Sequence, residues 1–194
     1  MTRTIAGVLT LALGLMAGTA QAQAQTHSAS SSTTPITFGG SLGLSMPMGD
    51  AGDGLNTGLN LEGLVGIQPQ TMPVEFRGEL MYHHFGVSGG GGHESLLGIV
   101  PNVLYAFKTQ SHLRPYVIGG LGLYHVSVSF TGVAPGGGTF TVSDGETHVG
   151  INFGGGVRFP LSNSRASMFV EARFHDVFAD NSFNMIPITV GITF

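Results

Sequence analysis

Four histidines and seven charged residues carry most of the chemistry open to this chain. Read in steps of two along extended segments, His83, His125, His148 and His175 share one phase, and each sits near the same end of its segment. Three or four imidazoles converging from neighbouring strands could hold zinc at about 2 Å, with His93 and Glu94 above them as further donors. The alternative is four independent histidines bonded to backbone or carboxylates, and no resident metal or cofactor is expected. Glu62, Glu75, Arg77, Glu79, Arg158, Glu171 and Arg173 also fall on that phase. Four acids against three bases is close to balance, which predicts a paired ionic network rather than a catalytic dyad. Hairpin geometry around 68–72 places Glu62 near Glu79, with Arg77 within diagonal reach.

The elements that must position these groups are strands. Segments near 36–46, 57–67, 73–84, 95–107, 114–129, 147–159, 167–178 and 186–194 alternate between large apolar and small or polar residues. In the first, Ile36, Phe38, Leu42 and Leu44 share a face, and in the last, Ile186, Ile188, Val190, Ile192 and Phe194 do so. The third sets Val74, Phe76, Leu80 and Tyr82 against Glu75, Arg77, Glu79 and His83. In the fifth, Tyr116, Ile118, Tyr124, Val126 and Val128 read as the apolar face. Leu121 and Leu123 are then out of phase, which a bulge or bend near Gly119-Gly120 would explain.

Composition narrows the class. Only 9% of residues are charged, glycine is abundant at 32, and cysteine is absent. No disulfide framework or thiol chemistry is available. A net charge of −4 argues against a nucleic-acid partner. Strands that are each half apolar, with charge confined to one phase, fit an all-β fold: a closed eight-stranded antiparallel transmembrane β-barrel. Lipid demands closure, because an open sheet edge would leave backbone groups unpaired.

The connections after strands one, three, five and seven read as long, at 47–56, 85–94, 130–146 and 179–185. Those after two, four and six read as shorter. The first set carries Asp50, Asp53, Glu94, Asp144, Glu146 and Asp180, whereas the second and its margins carry Lys108, Arg114 and Arg165. Asp176 is the one strand charge on the apolar phase, near the long-loop end. The glycine clusters 89–92 and 136–138 have no following lysine or helix, so they read as loop tips rather than phosphate loops. At the other terminus, Arg3, the apolar stretch from Ile5 to Ala17 and Ala20-Gln21-Ala22 read as a signal peptide over 1–22. A flexible periplasmic lead is expected over 23–35 and the barrel over 36–194.

The segment from Arg114 to Tyr124, Arg-Pro-Tyr-Val-Ile-Gly-Gly-Leu-Gly-Leu-Tyr, resembles the Pro-Tyr, Gly-rich strand of the bacterial outer-membrane protein β-barrel family, which includes OmpA-like and OmpX-like small barrels. Gly154 to Phe159 and Phe169 to Phe174 are similar to its next hairpin. The resemblance implies residence in the bacterial outer membrane as a monomer, with both termini periplasmic and with outer-membrane lipids and lipopolysaccharide as partners. It also implies that Phe194, as a terminal outward aromatic, is part of the signal read by the barrel assembly machinery. His125-Val-Ser127 resembles the His-x-Ser element of outer-membrane lipid A 3-O-deacylases, although Val128 stands where that family has Asn. The reading with most support is a non-enzymatic barrel with a plugged ionic lumen, acting structurally or at the cell surface through acidic loops. A narrow small-solute channel and a deacylase-like hydrolase are the alternatives.

Overall fold

The computed structural model describes residues 35–70, 72–90, 92–133, 137–162, 164–179 and 183–194. The expected signal peptide, all of the lead but Pro35, and Asp180 lie outside them. Eight strands follow one another around a ring: β1 (Ile36–Met48), β2 (Gly58–Ile67), β3 (Val74–Gly86), β4 (Gly92–Ala106), β5 (Arg114–Val133), β6 (Thr139–Pro160), β7 (Ser167–Val177) and β8 (Phe183–Thr193). Each pairs antiparallel with the next, and β8 pairs with β1, which closes the barrel. Phe194 extends the seam: its N–H donates to the Phe38 carbonyl at 2.8 Å and its carbonyl accepts from the Phe38 N–H at 3.2 Å. A short helix, α1 (Asp50–Gly54), interrupts the β1–β2 connection.

The alternation sorts residues as hydrocarbon requires. Phe38, Leu42, Leu61, Leu80, Ile99, Leu121, Phe153, Val170 and Val190 are exposed on the outer wall. Glu62, Glu75, Arg77, Glu79, Glu171 and Arg173 are buried inside. Arg158 also faces inward, with its side chain 16% exposed. Asp176 faces outward opposite Asn184, near the end of β7 that leads to the 178–182 connection.

β5 corrects the sequence reading. Tyr116, Ile118 and Tyr124 are buried in the lumen, while Val117, Leu121 and Leu123 face out. The β4–β5 and β5–β6 registers run without an offset from one end to the other, so there is no bulge at Gly119-Gly120. Size misled the phase assignment. Two lumenal tyrosines fit because glycine stands where a side chain would collide with them. A Cβ added at Gly122 would fall 2.6 Å from Tyr124 Cε2, and one at Gly156 would fall 2.6 Å from Tyr116 Oη.

The connections also differ from expectation. The segment 130–146 is not a loop: β5 and β6 run on as a hairpin, paired up to Val133 and Thr139. β6 meets β7 from Gly150 onward, and the Phe178 N–H donates to the Val149 carbonyl at 2.9 Å, so among the described residues its edge over 139–148 has no neighbour on that side. The asymmetry between the two ends therefore lies in strand length. The outer face of this hairpin changes character above Leu123 and Val149. It becomes Ser127, Ser129 and Thr131 on β5 and Thr139, Thr141, Ser143 and Thr147 on β6, with Thr131 and Thr141 hydroxyls 3.2 Å apart. That change marks where the apolar wall stops.

Gly122→Ala should destabilise the barrel by about 1–3 kcal/mol, the usual penalty of overpacking a filled interior. Gly63→Ala, whose new Cβ meets nothing within 4 Å, should be near neutral. Urea midpoints in lipid bilayers, followed by far-UV circular dichroism, check this; equal midpoints for the two variants would contradict the packing described.

Candidate functional site: the lumen and its mouth

All seven charged residues singled out from sequence meet in one connected array. Arg77 Nη1 lies 2.9 Å from Glu171 Oε2 and 3.3 Å from Glu79 Oε1. Arg173 Nη1 reaches Glu79 Oε2 at 2.5 Å, its Nη2 reaches Glu62 Oε2 at 3.3 Å, and its Nε lies 2.8 Å from Glu171 Oε1. Glu75 stands between Arg77, at 3.6 Å, and Arg158, at 3.0 Å. In a ring of eight, β3 and β7 are diametrically opposite. Arg77–Glu171 and Glu79–Arg173 are therefore charge pairs that cross the full width of the lumen. Glu62 takes its cation from Arg173 across the lumen rather than from Arg77, since Arg77 is in register with Gly66.

Neutral groups complete the array, and none of them was singled out from the sequence. Tyr116 donates to Glu171 Oε2 at 2.7 Å, and Arg77 and Arg158 each stack over its ring at 5.6 and 5.8 Å. Ser41 donates to Glu62 at 2.7 Å, and Asn102 donates to Glu79 at 2.8 Å while accepting from Asn152 at 2.9 Å. One available signal pointed to Tyr116: Arg114, the first residue of β5, shares its phase, and a charge favours an inward face.

The four histidines do not converge on one point. His83 and His175 are fully buried, with ring centroids 6.4 Å apart, and they lie well inside the barrel rather than at its rim. His83 Nδ1 is 2.7 Å from the Ser45 hydroxyl, and His175 Nδ1 is 3.0 Å from the Tyr124 hydroxyl. His125 faces outward, a consequence of the corrected β5 phase, and its Nδ1 contacts Thr147 Oγ1 at 3.0 Å. His148 faces inward at the mouth, beside Glu146 at 3.6 Å. Among the described residues, no three His, Cys, Asp or Glu side chains gather as a metal group. The His125-Val-Ser127 pair shares the outer face, whereas Asp144 and Glu146 have the opposite phase, cross-strand from Val128 and Val126. Among the described residues, no acid on that face orients His125 toward Ser127.

Above the histidines lies an apolar layer. Phe85, Leu96, Val177, Phe183 and Met185 pack together, and Leu55 drops into them from the end of α1. Hydrogen bonds from Asn56 N–H to the Gly86 carbonyl (2.8 Å) and from Ser88 N–H to the Gly54 carbonyl (2.9 Å) pin that connection over the mouth. At the opposite end, Glu75, Arg114, Tyr116 and Arg158 line a small cavity of about 70 Å³. From end to end the lumen thus runs cavity, ionic array, histidine layer, apolar layer and open mouth.

Arg77→Met should destabilise by about 3–5 kcal/mol, because it strands buried carboxylates without a counter-charge. Adding Glu79→Gln and Glu171→Gln to that variant should recover part of the loss. A triple variant less stable than Arg77→Met by urea titration would show that the carboxylates do not depend on Arg77. Zinc titrated into refolded protein should give no binding heat, with or without His148→Ala; a saturable heat lost on His148→Ala would reinstate the cluster.

Solved structures with the same architecture are outer-membrane proteins. Neisserial surface protein A aligns with a TM-score of 0.62 at 16% identity, over 81% of this chain and 95% of its own. A major outer membrane protein from Thermus thermophilus gives 0.61 at 11% identity, over 84% and 98%. Ail, the attachment invasion locus protein of Yersinia pestis, gives 0.50 at 11% identity, over 84% and 100%. A search of curated proteins finds no match. At the sequence level, the model of the outer membrane protein beta-barrel domain matches residues 10–194. With a closed antiparallel ring of eight strands beneath that match, the chain belongs to the outer membrane protein beta-barrel domain family.

Proposed function

We propose that the chain is a non-enzymatic outer-membrane scaffold with a plugged lumen, acting at the cell surface through its projecting β5–β6 hairpin. The long-strand end faces outward from the cell and both termini face the periplasm, where Phe194 serves as part of the assembly signal. The observation that carries the reading is the hairpin itself. β5 and β6 continue as a paired ribbon beyond the last rung β6 shares with β7. Asp144 and Glu146 stand exposed on it, and its edge over 139–148, which has no strand partner among the described residues, offers backbone groups to an extended partner segment. The hydroxyl-rich outer face would stand among lipopolysaccharide sugars, and the acids would bridge through divalent cations to lipopolysaccharide phosphates. The diametric ion pairs Arg77–Glu171 and Glu79–Arg173 argue against the small-solute channel, and the separation of His125 from any orienting acid argues against the hydrolase.

Two measurements test this. In planar bilayers the protein should show no single-channel steps; steady unit conductance would favour the channel. Magnesium-dependent lipopolysaccharide binding should weaken at least tenfold when Asp53, Asp144 and Glu146 are changed to their amides, and unchanged binding would remove the bridging role.

A further inference from the structure

The mouth of the barrel holds a cavity of about 410 Å³ that the surface role leaves unused. Its walls are Val87, Val126, Val128, Phe130 and Phe183, and Leu55 forms part of its floor. Two ionisable side chains line it, Glu94 and His148. His148 is occupied beside Glu146. Glu94 differs: it has no hydrogen bond or ion pair among the described residues, and its cross-strand neighbours are Phe85 on β3 and Val128 on β5. A carboxylate with apolar neighbours on both sides loses solvation without gaining a partner.

Among the described residues no lysine or arginine meets it. Of the chain's seven Lys and Arg residues, Arg3 falls in the expected signal peptide. Arg77, Arg158 and Arg173 are committed to the ionic array. Lys108, Arg114 and Arg165 lie in or beside the connections at the other end of the barrel. The mouth therefore combines an apolar cavity, one unpaired carboxylate facing into it, and further acids at Asp53, Asp144 and Glu146. Apolar pockets with a few placed polar groups are the usual form of small-molecule sites, and this volume lies in their range.

We propose that this cavity binds a small amphipathic cation, its apolar body held by Val126, Val128, Phe130 and Phe183 and its ammonium group by the Glu94 carboxylate. The apolar layer and the ionic array close the floor, so the site is a terminal pocket and not the entrance to a pore. This goes beyond the hairpin's surface role, since Glu94 is not among the acids assigned there.

The chain contains no tryptophan, so Phe130→Trp places a single tryptophan, excited selectively at the red edge beyond tyrosine, in the cavity wall. The mature protein in zwitterionic lipid nanodiscs is titrated with 3-phenylpropylammonium and, separately, with 3-phenylpropionate, which has the same apolar body and the opposite charge. Phe153→Trp, on the lipid-facing wall, reports partition into the bilayer. The cation should saturate the Phe130→Trp signal at a concentration at least tenfold below the anion, with no saturation from Phe153→Trp. Glu94→Gln should bring the two titrations together, and Glu94→Asp, which keeps the charge, should preserve the preference. Equal responses to both probes, matching responses from both reporters, or a cation preference that survives Glu94→Gln would each overturn the proposal.

Discussion

Hydrocarbon offers no partner to a charge or to a free peptide N–H, and almost every feature of this barrel follows from that constraint. Backbone groups within the bilayer must pair with one another, so the sheet closes on itself through β1 and β8. Side chains that carry charge must turn inward, because an arginine facing lipid at mid-depth costs roughly 2–4 kcal/mol. Inside, they meet each other at close range. The ionic array is thus a consequence of the outer wall: once seven charged groups are driven into so narrow a lumen, only mutual pairing makes them tolerable.

The array is better read as a device for register and closure than as a source of net stability. Buried ion pairs often do little better than apolar residues of equal volume, because desolvation offsets attraction. Their geometry is exacting, however. Slipping β3 by one residue against its neighbours would send Glu75, Arg77 and Glu79 into lipid together. Packing works in the same direction. Tyr124 and Tyr116 occupy space left by Gly122 and Gly156, and their hydroxyls reach His175 and Glu171. Charge, aromatic volume and missing side chains thus specify one arrangement.

Much of this was legible in the sequence, and the failures have physical causes. Fold class, strand number and the lumenal charges follow from period-two alternation with charge on one phase. β3 and β7 are the clearest cases, because Glu75-Phe-Arg-Gly-Glu79 and Glu171-Ala-Arg173 leave no doubt about which face points inward. β5 failed because both of its faces are apolar. Only Arg114 breaks the tie, and it stands at the strand's first residue. The error in β5 carried His125 with it, and so the reading that placed four histidines on one inward phase. The hairpin over 130–146 was missed because Ser, Thr, Gly and Asp in an exposed strand resemble a loop: no buried face imposes alternation there. The pairing of Arg173 with Glu62 and Glu79 could not be read at all, since contact across a lumen depends on the stagger of strands around the ring.

The even-numbered residues of β5 fill the lumen only by pointing inward, as Tyr116, Ile118 and Tyr124 do. Spin labels placed singly at positions 117, 118, 121, 123 and 124 in lipid bilayers would read this phase directly through collision with dissolved oxygen. High oxygen accessibility at 117, 121 and 123, with low values at 118 and 124, is the predicted pattern. The reverse would return Tyr124 to the lipid and leave the centre of the barrel open.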